Sequence, residues 1–354
     1  MKKVLLLLMM FCLISCEKKE VVSDKPVVKI GATLPLTGSV ALFGETMKKG
    51  MQMAVDEQNA NSSNVFKYEL IAENDEMNAK LARSNAMKFI GIDDVNVIVT
   101  ALPPAGKIVN SIAEANKVIA FHTTYSDVVI DGKYNFQNLI SRDKVVEKFV
   151  EFINERGFEN IAILSLQNDG VIEITDNIEA ELQNKKIESY RVMPSERSYG
   201  LIVSKIIRQD PDVLLVLALP PVVEMFSREW MLQKHNATIV GLEFYNNDPD
   251  LEKMFDDYYS IGVTDGTDEY IKKYGGRTYR SQYGYDGINI IAQVYESLGL
   301  QNGEIPTSDM IVDELHKIKY FKGVVGDIEL DDKGQFHSNP VLIQIKNGKY
   351  NFLD

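Results

Sequence analysis

The sequence predicts an α/β protein of two lobes, each built on a mostly parallel sheet, and three observations predict it. Short β-rich runs alternate with helical patterns of roughly 10–15 residues, which is the rhythm of βαβ crossovers. That rhythm starts at Val27, closes near Phe121 and restarts after Ser141. The chain has 354 residues, a length that usually divides between two hydrophobic cores.

In the first unit, Val27 to Leu34 reads as a strand and Glu45 to Asn59 as a helix with Met47, Met51, Ala54 and Val55 on one face. Strand Lys67 to Ala72, helix Ala79 to Ile90 and strand Val95 to Val99 follow, then helix Gly106 to Asn116 and strand Val118 to Phe121. The second unit opens with helix Asp143 to Arg156 and strand Asn160 to Leu164. It continues with a helix around Ile174 to Gln183, strand Glu188 to Val192 and helix Gly200 to Arg208. Strand Asp212 to Leu217, helix Val222 to Lys234 and strand Thr238 to Leu242 close it. The unbroken apolar run Val213 to Leu217 suits a strand covered on both faces.

The remaining residues start no third unit. They read as helix Tyr285 to Leu298, helix Ser308 to Lys317 and a hairpin-like end made of Val325 to Glu329 and Leu342 to Ile345. Such late elements return to cover both lobes. The expected division is residues 26–141 with about 267–335 for lobe 1, and 142–266 with about 336–354 for lobe 2. Ligands of open α/β sheets bind beyond the carboxyl ends of the strands, so two facing lobes imply one cleft and a hinge.

The amino terminus carries an address. Lys2 and Lys3 precede the apolar run Val4 to Ile14, and Leu13-Ile14-Ser15-Cys16 closes it, the tripartite pattern of a signal peptide over residues 1–15. The apolar run is about half of the roughly 20 residues a helix needs to span a bilayer. The small Ser15 before Cys16 resembles a lipobox, which implies lipidation of Cys16 and anchoring through acyl chains. Residues 16–25 then form a polar tether of about 30 Å at full stretch.

Composition narrows the classes further. Cys12 leaves with the signal, so Cys16 is the single mature cysteine and no intramolecular disulfide forms. A formal charge of −13, more acidic once Lys2 and Lys3 are gone, argues against nucleic acid as a partner, since phosphate must be met by Lys and Arg. His122, His235, His316 and His337 have no zinc spacing, and H-E-x-x-H, G-x-S-x-G, P-loop and G-x-G-x-x-G patterns do not occur. The Asp-rich stretches 246–250 and Asp331-Asp332 lack EF-hand spacing. The expectation is a non-enzyme with no cofactor, no metal and no catalytic residue.

The motifs resemble a known family. Ile30-Gly31-Ala32-Thr33-Leu34-Pro35-Leu36-Thr37-Gly38-Ser39, then Ala41, Phe43, Gly44, Gly50 and Ala54 to Ala60, stand in its order and spacing. So do Tyr274-Gly275, Tyr285-Asp286-Gly287 and Phe321 to Gly334 near the end. The sequence is similar to type I periplasmic binding proteins of the leucine/isoleucine/valine-binding branch, which feed ABC importers. The resemblance spans nearly all of the mature chain and implies two Rossmann-like lobes joined by a hinge. It implies a monomer in the cell envelope, facing the periplasm or exterior, with a small organic ligand and an ABC permease as partners.

Pocket positions carry over unevenly. Pro35 ends the first strand because it offers no ladder N–H, and Thr37, Gly38 and Ser39 make the turn that the family uses for its ligand. Phe43 keeps an aromatic of the first loop. Where the family holds a ligand carboxylate with serine, this chain has Ala101 to Gly106, which puts Pro103 and Pro104 at the site. After the fourth strand His122 and Ser126 fall at the family's Ser and Thr positions, with Thr123 and Thr124 between, and Leu219 replaces a tyrosine. Glu243 matches an acidic residue that faces the ligand's ammonium group. The resulting pocket is less polar than an α-amino-acid site. It fits an amino-acid-like ligand, such as an atypical amino acid, amide or short peptide, with aliphatic or aromatic acids as the alternative. Outside import, the alternatives are a ligand-sensing lipoprotein without a transporter and, behind it, an envelope hydrolase.

Overall fold

The computed structural model describes residues 25–38, 40–125, 127–233, 235–243, 255–275 and 278–353. Cys16, Ser39 and Ser126 lie outside the described residues, as does the Asp-rich stretch 246–250.

The first sheet grows from β1 (Val27–Leu34), which pairs in parallel with β2 (Lys67–Asn74) and β3 (Val97–Ala101). β4 (Ile119–Thr123) and β5 (Asn135–Ile140) extend it, also in parallel. Every residue of β3, β4 and β5 is buried. Helix α1 (Ala41–Ala60) covers the sheet with Met47, Met51, Ala54 and Val55, the predicted face, and begins four residues earlier than its periodicity indicates. α2 (Ala79–Lys88) starts at an Asn78 side-chain cap and passes into a π-helical turn, Phe89–Asp93. α3 (Pro103–Asn116) starts at the two prolines, which the first turn accepts because its N–H groups lack intrahelical partners.

The second sheet holds β6 (Asn160–Leu166), β7 (Lys186–Val192), β8 (Val213–Leu217), β9 (Thr238–Leu242) and β10 (Tyr259–Gly262), all parallel. Helices α4 (Arg142–Glu155), α5 (Asp169–Glu181), α6 (Gly200–Gln209) and α7 (Val222–Met231) alternate with these strands. The chain then returns to the first lobe through α8 (Asp268–Tyr274), α9 (Ser281–Leu298) and α10 (Ser308–Leu315). α9 lies close on α1: a Cβ on Gly284 would stand 2.5 Å from the Met47 carbonyl oxygen, and one on Gly50 would strike that of Ser281.

The expected terminal hairpin does not exist. β11 (Tyr320–Gly323), β12 (Gly326–Leu330) and β13 (Gln335–Ser338) complete the first sheet, with β13 parallel to β5. β14 (Val341–Lys346) and β15 (Lys349–Leu353) join the second sheet through β10. The two runs both read as strands, but a chain crossing at Asn339-Pro340 sends them to different sheets. Strand orders are β11-β12-β13-β5-β4-β3-β1-β2 and β15-β14-β10-β9-β8-β6-β7. The chain therefore crosses between the sheets three times, after β5, after β10 and after β13. Since β13 belongs wholly to the first sheet, the last crossing falls a few residues beyond the expected 336 boundary.

Candidate functional site

Because both sheets are parallel at their centres, the loops at the strand carboxyl ends of one lobe face those of the other. Contacts join the lobes there. A Cβ on Gly170, in the first turn of α5, would stand 2.8 Å from the Cβ of Tyr125, which follows β4. Lys107 of α3 forms an ion pair with Asp169 of α5. Val40, Leu42, Phe43 and Leu102 of the first lobe share an apolar notch with Leu219 and Pro220 of the second. Phe43 and Leu219, both expected at the site, thus meet. Leu102 adopts a φ of 67°, which aims the chain from β3 into α3 and brings this leucine to the notch. Pro103 and Pro104 stand behind it in the first turn, half-buried.

A buried charge cluster lies beside the notch. Glu243 leaves β9 with a φ of 50° and is 3% exposed. Its carboxylate accepts a hydrogen bond from the Tyr283 hydroxyl at 3.1 Å and forms an ion pair with the Arg280 guanidinium. Arg280, 2% exposed, sits with its Cζ 4.7 Å from the Phe43 ring centroid and 5.9 Å from that of Tyr125. Tyr279 meets Phe43 edge-on at 6.3 Å. Guanidinium over aromatic faces is favourable, the more so when desolvated. Burial lifts the Glu243 carboxyl above its ordinary range, while Arg280 and Tyr283 pull it back down. Burial works against the charge of Arg280, but Glu243 together with Tyr125, Tyr279 and Tyr283 outweighs it and holds the guanidinium protonated. Burial also raises the Tyr125 and Tyr283 hydroxyls and pushes Tyr279 up to about 12, so all three stay protonated.

This arrangement changes the meaning of Glu243. Sequence reasoning makes it a carboxylate waiting for a cationic ligand; in the structure the cation is Arg280. Three buried donors near or beside this pair have no hydrogen-bond acceptor among the described residues: Arg280 Nε, the Tyr125 hydroxyl and the Thr124 hydroxyl. Each such group costs about 1–3 kcal/mol when left unmet. Tyr125 also lines a polar cavity of about 90 Å³ with Gln137, Ser141, Arg142, Lys333 and His337, between the first and third chain crossings.

His122, expected at the cleft, has both ring nitrogens engaged inside the first lobe. It is wholly buried inside the first lobe, its Nε2 donating to Asn135 Oδ1 at 3.1 Å and its Nδ1 accepting from the Thr100 hydroxyl at 2.8 Å. Both nitrogens are spent on neighbouring strands, and burial lowers its pKa to about 4, so it stays neutral. Thr123 is buried at the end of β4, where its carbonyl accepts from the Leu102 amide at 3.2 Å. Thr37 and Gly38 are exposed, and Asn74 Nδ2 donates to Thr37 Oγ1 at 2.7 Å, tying the turn to the end of β2. Thr124 and Tyr125 fall inside the stretch from His122 to Ser126 that the sequence places after the fourth strand, whereas sequence reasoning missed Tyr279, Arg280 and Tyr283. The one available signal is an arginine amid tyrosines at Tyr279-Arg280-Ser281-Gln282-Tyr283, between two lobe-crossing segments. Among the described residues, no group of three His, Cys, Asp or Glu side chains could hold a metal ion.

The chain belongs to the periplasmic binding protein family, whose profile matches residues 27–349, and it has the type I fold of the leucine/isoleucine/valine-binding branch. It is accordingly a solute-binding protein of the cell envelope that takes small ligands. Leu/Ile/Val-binding protein homolog 2 of Brucella abortus (strain 2308) is 24% identical to it, over 92% of this chain and 93% of that protein. The leucine-binding protein LivK of Thermotoga maritima superposes with a TM-score of 0.82 at 18% identity, covering 92% of this chain and 98% of that one. A Rhodopseudomonas palustris ABC-transporter solute-binding protein, solved with benzoate, gives 0.83 at 14% identity, covering 92% and 95%. The Streptococcus pneumoniae protein LivJ, solved with isoleucine, gives 0.82 at 18%, covering 92% and 99%.

Proposed function

We propose that this protein is a non-catalytic lipoprotein, anchored through Cys16, that captures a small organic ligand between its lobes and presents the closed form to an ABC permease. One observation carries the reading: buried hydrogen-bond donors left unmet beside Phe43, Leu102 and Leu219, where the strand ends of both lobes converge. Buried polar groups of native proteins are rarely left unpaired, and a bound solute meets such groups. The residues assigned to the ligand are Phe43, Leu219, Thr124, Tyr125 and Arg280. Thr37, Gly38 and Ser39 are assigned to the mouth of the cleft. The fold is shared with proteins solved with isoleucine and with benzoate, which supports a ligand of that size.

The three crossings serve as the hinge between lobes of about 26–141 plus 267–338 and 142–266 plus 341–354. Ligand then shifts an open/closed equilibrium by its differential affinity for the two states. The test is mass spectrometry of small molecules released when the purified protein is denatured, followed by thermal-shift measurement with the compound found. A stoichiometric compound that raises the melting temperature supports the proposal; a protein that releases nothing and is stabilised by no small solute rules it out. Lipidation is checked separately, since a Cys16→Ala chain should fail to incorporate a labelled fatty acid.

A further inference from the structure

We propose that Arg280 supplies the cation of the binding site from within the protein, so that the ligand is a small organic acid lacking an α-ammonium group. The proposal deepens the cleft reading and rests on it. The Glu243 carboxylate has both oxygens engaged, Oε1 by the Tyr283 hydroxyl and Oε2 by the Arg280 guanidinium. A ligand ammonium entering here would have to displace a guanidinium that is stacked on Phe43 and itself fully desolvated. Glu243 Oε2 has the Arg280 guanidinium beside it as an ion-pair partner, whereas several donors of the cluster have nothing to donate to among the described residues. Arg280 Nε, the Tyr125 hydroxyl and the neighbouring Thr124 hydroxyl are all able to donate.

Donors without acceptors, one of them on a guanidinium, are what a carboxylate satisfies, and hydrogen bonds to an ionised acceptor are the strong ones. The rest of the ligand meets hydrocarbon and ring surface from Phe43, Leu102, Leu219 and Tyr279. A carboxylate at one end and an apolar or aromatic body at the other describe a simple monoacid. The same geometry explains why Glu243 is kept in a site that takes no cationic ligand. It fixes the Arg280 fork and offsets its charge, so that a bound carboxylate leaves one net negative charge over the cluster.

Titration calorimetry on the purified full-length protein tests this with three probes: benzoate, 4-methyl-2-oxopentanoate and leucine. The two acids should bind at least about tenfold more tightly than leucine, in line with one strong charge-assisted hydrogen bond. Arg280→Gln should weaken the acids about 30-fold or more, and Tyr125→Phe about tenfold. Arg280→Lys keeps the charge without the fork, so it should fold as the parent does and still lose acid affinity. Leucine binding more tightly than both acids would overturn the assignment of Arg280 while leaving the cleft intact as a binding site. If none of the three probes binds and no small molecule is released on denaturation, both the assignment and the cleft reading fall.

Discussion

Glu243 and Arg280 are paired where neither meets water, so removing one is worse than removing both. Glu243→Ala leaves a buried guanidinium unpaired and should cost about 3–5 kcal/mol of stability in urea unfolding. The double change Glu243→Gln with Arg280→Met should cost clearly less than the single one, because it leaves no orphan charge. A single change that leaves the unfolding midpoint untouched would show that the pair is solvated. From sequence Glu243 reads as a contact for a ligand's ammonium group. The structure makes it a structural partner first, and that difference came from Arg280, a residue 37 positions away whose only sequence mark is the tyrosines around it.

His122 sets a second expectation at this scale. Its pKa falls to about 4 in the fold, below the ordinary value near 6.5. The unfolded chain therefore binds more protons than the native one between about pH 6.5 and 4. Its contribution is fully present above about pH 6.5 and is lost as the pH falls through that window, up to about 3 kcal/mol. Asp286 acts in the opposite sense. Burial lifts its carboxyl to about 7, although the Val324 and Val325 amides donate to it, so it costs stability as the pH rises through that value. Unfolding measured from pH 4 to 7 should thus fall more steeply toward acid in the parent than in His122→Gln. Parallel curves would mean that the imidazole is not held neutral.

Helices α1 and α9 meet at glycines, and the element scale is where those glycines count. A methyl at Gly50 has only the Ser281 carbonyl to enter, and backbone cannot step aside as a side-chain end can. Gly50→Ala should cost about 1–3 kcal/mol by overpacking. Gly91, with nothing within 4 Å of a Cβ, is the control, and Gly91→Ala should change stability by no more than about 0.5 kcal/mol. Equal melting temperatures for the two variants would contradict the close approach of α1 and α9. Apolar periodicity made α1, α4 and strands β1, β6 and β8 legible, since their buried faces are simple hydrocarbon. β5 was not legible. Asn135, Gln137 and Asn138 are buried in it, their amides donating to backbone carbonyls of Asp131, Thr124 and Tyr283. A polar strand of that kind looks like a loop until its partners are known.

For the whole molecule, the contact between Gly170 and Tyr125 sets how closely the lobes meet. A larger side chain at 170 wedges against Tyr125 Cβ without entering either sheet's core. Gly170→Val should leave each lobe folded but hold the cleft open, raising the radius of gyration in small-angle scattering and weakening ligand binding. A variant with the parental radius and affinity would remove this contact from closure. The exposed Lys107–Asp169 pair, by contrast, should add little, since solvent screens pairs of that kind to about 0–1 kcal/mol.

The sequence by itself determined two repeated βα units, the place of Phe43 and Leu219 after their strands, and the family to which the chain belongs. Each of these is carried by local periodicity or by short motifs, which a linear reading can see. Tertiary structure alone decided the sheet to which each terminal strand goes, the burial of His122 among polar strand residues, and the pairing of Glu243 with Arg280. All three depend on which distant segments share a low-dielectric space. There the sign of the charge that remains unmet, and so the kind of solute the cleft can hold, follows from the partners rather than from any one residue.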